Sequence, residues 1–129
     1  MLVRITINVL RVAAVLALIL GVLDWVGYPL GSILIHMFLG FLVVISLWIL
    51  GGVMLTRENG AGLGIGAIVL GLLVLALGLA QKQILPDPSP AHWVIQVIHL
   101  LFGLSAIGIG EMIGGRIRRQ QRVATMQTR

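Results

Sequence analysis

No charged residue lies between Asp24 and Arg57. An uncharged run of that length, rich in Leu, Ile and Val, has its stable setting as a helix across a bilayer. Roughly 20 apolar residues rising 1.5 Å each cross about 30 Å of hydrocarbon. The rest of the chain is of the same kind. With 59% hydrophobic and 10% charged residues and a mean hydropathy of +1.11, it lies outside the range of soluble globular domains. Its 129 residues hold four spans and leave no room for a water-soluble domain beside them.

Breaks in the apolar pattern place the helices at about 3–23, 30–55, 61–80 and 91–113. Asp24, Gly27, Tyr28 and Pro29 make the first turn, and Thr-Arg-Glu-Asn-Gly at 56–60 the second. The segment 81–90 carries three prolines and is expected to leave the helix. The expected fold is all-α: a polytopic bundle of four transmembrane helices over 1–115, followed by a basic cytoplasmic tail at 116–129. Arg4 and Arg11 precede an apolar stretch as in a signal peptide, but no A-x-A-like cleavage site follows, so the first helix reads as retained.

Charge sets the orientation. Arg4, Arg11, Arg57, Arg116, Arg118, Arg119, Arg122 and Arg129 fall at one end of the bundle, with Asp24, Lys82 and Asp87 at the other. The basic end is expected in the cytoplasm, which makes this a multi-pass protein of the inner (cell) membrane with both termini inside. That placement also accounts for the net charge of +5 without nucleic acid. The chain has no cysteine, which excludes disulfides, Cys-ligated iron–sulfur clusters and covalent haem attachment.

Within this apolar background one pattern occurs twice. Ile35, His36, Gly40, Gly51 and Gly52 are matched by Ile98, His99, Gly103, Gly114 and Gly115 at a constant offset of 63 residues. Each copy puts a histidine inside a span, with a glycine one turn further along the same face. Leu-Ala-Leu-Ile-Leu-Gly ending at Gly21 likewise resembles Leu-Val-Leu-Ala-Leu-Gly ending at Gly78, at an offset of 57 that the longer second loop explains. The halves can be read as a tandem repeat of two helix pairs.

His36 follows Pro29 by seven residues and His99 follows Pro90 by nine, which sets both roughly 10–14 Å below their helix starts. Ionisable groups at such depth face a bundle interior and mark functional sites. The stripe His92, Gln96, His99, Gly103, Ala106, Gly110 on the fourth helix and Ser32, His36, Gly40, Val43 on the second should both face inward. Gly64, Gly71 and Gly78 on the third helix, at heptad spacing, permit close approach of a helix or of a flat macrocycle.

Several readings of the histidines stand side by side. They can be a hydrogen-bonded interior pair, the axial ligands of one haem b, or single ligands of a chlorophyll-like pigment. Gly40 and Gly103 would clear space beside such a ring, and a zinc site lacks a third ligand at that depth. His92, at the outer interface beside Trp93, is a solvated residue or a contact to a haem propionate or quinone headgroup, helped by Gln96, Lys82 or Tyr28. Glu111 is expected to pair with Arg116 or Arg11, or to lie among headgroups. Arg4, Asn8 and Arg11 share one face, which either snorkels to the headgroups or docks another membrane subunit or a second copy of the chain.

At His36 and His99 the pattern resembles small four-helix membrane cytochromes of the b type, whose histidines clamp haem and pass electrons to or from quinone or another redox carrier. The resemblance implies haem b with His36 and His99 as metal ligands. It also implies an electron-transfer or accessory subunit of a larger membrane complex rather than an enzyme by itself. The best-known cytochromes of that kind hold two haems on four histidines, whereas this chain has three histidines in all and none near the cytoplasmic end. One haem, in the outer half, is what it could hold. Small multidrug exporters share the size, but their essential acidic residue lies in the first helix, where 3–23 has none.

Overall fold

The computed structural model describes residues 1–28, 33–84 and 90–127, with backbone only at 81–84 and 127. Four helices follow one another: α1 (Leu2–Trp25), α2 (Ile33–Leu55), α3 (Ala61–Ile84) and α4 (His92–Gln127). All four are long and apolar enough to cross a membrane. The protein is an all-α bundle of four candidate membrane helices, compatible with a multi-pass membrane protein. Among the described residues α1 and α3 each border α2 and α4, and α2 and α4 also meet across the middle.

Local chemistry ends the helices where the turns begin. Gly27 takes a left-handed backbone (φ 79°). The Tyr28 and Gly27 amides donate to the carbonyls of Leu23 and Asp24, at 3.0 and 3.1 Å. This paired pattern is the Schellman motif, which satisfies carbonyls left open at a helix end. Between α2 and α3, Asn59 is left-handed (φ 54°), and Gly60 lies so close to the Met54 carbonyl that no Cβ would fit.

Two boundaries differ from expectation. α3 continues to Ile84, four residues past the expected end; proline restricts mainly the residue before it, so Pro86 leaves 81–84 free to stay helical. α4 continues to Gln127, so the basic segment is the end of a helix 36 residues long rather than a separate tail. Hydropathy marks where the apolar slab stops, and the Arg, Gln, Met and Ala beyond it are adequate helix formers. Ile117, within that segment, is buried at 1% exposure. Ser32, the expected start of α2 at 30, Pro29, Asp87 and Arg129 lie outside the described residues, as does the Lys82 side chain.

Packing is uneven along the bundle axis. The largest fully buried side chains, Leu10, Val44, Leu47, Leu50, Met54, Ile113 and Ile117, crowd toward the end that holds the N-terminus and the α2–α3 turn, here the lower end. Glycines set the spacing there. A Cβ on Gly51 would lie 2.9 Å from the Gly64 carbonyl, and one on Gly114 would overlap Ile7 of α1. The second glycine of each pair, Gly52 or Gly115, meets nothing within 4 Å. The two copies of the motif thus make equivalent contacts, α2 on α3 and α4 on α1.

Polar ties cross the lower half. Arg11 of α1 donates from Nε and Nη2 to both carboxylate oxygens of Glu111 on α4, at 2.5 and 2.7 Å. Glu111 therefore pairs with Arg11, one of its two expected partners. Arg116 Nη2 donates to the Asn59 carbonyl at 2.9 Å, fastening α4 to the turn. Large apolar side chains such as Val12, Phe38, Leu72 and Leu101 point outward, as a lipid-facing surface requires.

Candidate functional site

The upper half opens into a cavity of about 490 Å³ to which all four helices contribute. That volume lies within the range of small-molecule and cofactor sites, about 300–1,000 Å³. Its walls are apolar: Ala14, Ala17 and Leu18 from α1, Val43 and Val44 from α2, Val74 and Leu75 from α3, Ile107 from α4. Its polar lining comes from His36, His99, Gln96 and Asp24.

His36 and His99 face each other with ring centroids 6.3 Å apart and planes inclined at 54°. The equal depths counted from the prolines thus become physical proximity. The imidazoles do not hydrogen-bond one another, so the reading as a directly bonded pair is not the arrangement found. His36 Nδ1 lies 2.8 Å from the Ala17 carbonyl and donates to it. That bond fixes the tautomer and leaves the Nε2 lone pair free. Nδ1 of His99 is buried with no hydrogen-bond partner.

Each ring rests on a glycine of the preceding helix. A Cβ on Gly21 would stand 3.0 Å from Cε1 of His36, and one on Gly78 would stand 3.3 Å from Cε1 of His99. The matched Gly21 and Gly78 are therefore the seats of matched histidines. Gly64 and Gly71 have the plainer role, packing against Gly51 with Leu55 and against Trp48. Trp48 Nε1 donates to the Ile68 carbonyl at 3.2 Å and holds α2 to α3 below the cavity.

Gly40 and Gly103 also line the cavity, and a Cβ on either would meet nothing within 4 Å. Both keep space open one turn from a histidine. His36, His99, Gly40, Gly103 and Gln96 are brought together as expected, while His92, the first residue of α4, is not part of the cavity wall. Tyr28 is not part of it either. Sequence reasoning missed the Ala17 carbonyl, because every residue carries one. It also missed Asp24 and Trp25, which lie at the upper rim although they read as turn and helix end.

Among the described residues no group of three or more His, Cys, Asp or Glu side chains could hold a metal ion. A metal held by side chains alone would need such a group, whereas a metallomacrocycle brings most of its own donors and asks the protein for one or two. Compared with known protein families, with curated proteins and with solved structures, the chain matches none.

Proposed function

We propose that this chain is a membrane cytochrome of the b type that holds one haem b between α2 and α4, with His36 and His99 as axial ligands. It serves electron transfer to or from quinone or a partner redox protein, as a subunit of a larger membrane complex. The observation that carries the reading is the pair of facing imidazoles 6.3 Å apart. With a metal–nitrogen bond of about 2.0–2.1 Å and about 1.1 Å from ring nitrogen to ring centre, trans imidazoles on one metal have centroids about 6–6.5 Å apart. The separation is too long for a direct hydrogen bond, and His36 and His99 would be the residues to hold a metal between them.

The surroundings fit the same group. His36 has the outer hydrogen bond that orients metal-bound imidazoles, given by Ala17. Nδ1 of His99 is buried and has no such bond. Gly40 and Gly103 leave the room a flat ring needs, and the apolar walls keep water from it. When bound, haem supplies one-electron redox chemistry, and its potential is tuned by axial ligands and burial. The basic lower end, with Arg4, Arg57 and the arginines of α4, is assigned to the cytoplasm and both termini with it.

A second reading is a non-redox accessory subunit that holds a chlorophyll-like pigment. It is favoured by the inequality of the two imidazoles, since such a pigment needs one ligand and only His36 is anchored. A dithionite-reduced minus oxidised spectrum of the full chain, purified in mild detergent with haem supplied, separates the two. The expected result is a sharp b-type α-band that is lost or altered in His36→Ala and His99→Ala. A flat trace, or a spectrum unchanged in both variants, rules out the ligand assignment. Pigment extracted into organic solvent identifies the alternative.

A further inference from the structure

The two halves repeat each other closely at the site and differ at one point. On α1 the carbonyl of Ala17 stands one turn before Gly21, and because Gly21 has no side chain the His36 ring can lie against the helix and donate to that carbonyl. On α3 the equivalent of Ala17, four residues before Gly78, is Val74. There the larger β-branched residue lines the cavity, and Nδ1 of His99 finds no acceptor. The His99 ring also sits less tightly on its glycine, 3.3 Å against 3.0 Å for the Cβ positions.

Resting on the haem reading, we propose that the two axial positions are unequal. His36, through Nε2, is the permanent ligand, and His99 is the exchangeable one, giving way to a small neutral gas molecule on its side of the iron. An imidazole with its second nitrogen bonded to a carbonyl is a better electron donor and is fixed in orientation. One without that bond has neither advantage. Exchange breaks the iron–His99 bond and forms one bond to the incoming ligand, with no electron gained or lost. The open volume beside Gly103 gives the displaced ring and the new ligand room. The Ala17 carbonyl is the positioning group that sets which side opens.

The test is carbon monoxide binding to the dithionite-reduced full chain in detergent, followed by stopped-flow absorption. Wild type is expected to bind it at a rate that levels off at high carbon monoxide, where release of His99 becomes limiting. His99→Ala is expected to keep haem and bind at least about tenfold faster, while His36→Ala loses a comparable factor in haem affinity. Gly21→Ala, whose Cβ would stand 3.0 Å from Cε1 of His36 and so disturb its bond to the Ala17 carbonyl, is expected to lower haem retention several-fold and serves even if the histidine variants do not fold. A wild type that holds haem yet refuses carbon monoxide, a Gly21→Ala variant that retains haem as wild type does, or haem lost from His99→Ala but kept by His36→Ala, overturns the inequality alone. A chain that takes up no haem overturns the haem reading and this inference together.

Discussion

Four glycines around the histidines divide into two kinds. Gly21 and Gly78 touch the rings, and Gly40 and Gly103 face open space. A side chain that presses on a ring should act differently from one that meets nothing and lies away from the histidines. Gly21→Val and Gly78→Val push an imidazole off its seat, and haem bound per chain after purification is expected to fall several-fold, more for Gly21 because its Cβ would be nearer. Gly52→Ala and Gly115→Ala meet nothing within 4 Å and should keep wild-type haem content. Equal haem in all four variants, with helical circular dichroism unchanged, would show that the glycine seats do not matter. His36, His99, Gly40, Gly103 and Gln96 were legible in the sequence because polar or very small residues at helical spacing stand out in an apolar span. The Ala17 acceptor was not, since a backbone carbonyl leaves no mark on residue type.

Between helices the lower half is tied by close glycine packing and by one ion pair. Arg11 and Glu111 are matched two bonds to two, so the loss of one partner leaves the other charge without its cross-helix partner. Arg11→Met and Glu111→Met are each expected to lower the apparent melting temperature in detergent, and the double variant should recover most of that loss. Additive losses would mean that the two residues act independently. Apolar length located all four helices, yet it could not see that α4 runs to Gln127. The segment beyond Ile113 loses hydropathy but keeps helix-forming residues, and Ile117 packs under the bundle.

For the molecule as a whole, the repeated motif produced repeated surroundings: Gly21 and Gly78 each lie against a histidine, Gly51 and Gly114 each lie against a neighbouring helix, and a Cβ on Gly40, Gly103, Gly52 or Gly115 would meet nothing within 4 Å. The proposed orientation is open to a direct check, because the chain lacks cysteine and a single one can be introduced. Tyr28→Cys and Met126→Cys lie at opposite ends and are exposed, at 61% and 75%. On intact cells a membrane-impermeant maleimide is expected to label the first and to reach the second only after permeabilisation; the reverse order would invert the topology. Hydropathy, turn residues and the twofold His-x-x-x-Gly pattern by themselves determined four helices, their approximate limits and the two histidines at one depth. Those features follow from the solvent and from local geometry, which act on each segment separately. Only the tertiary structure decided that the rings face each other across one cavity, that Glu111 takes Arg11 rather than Arg116, and that one imidazole is anchored while the other is not. These depend on the rotation of each helix about its axis and on which neighbour it meets, and a carbonyl or a gap between helices exists only once the helices are side by side.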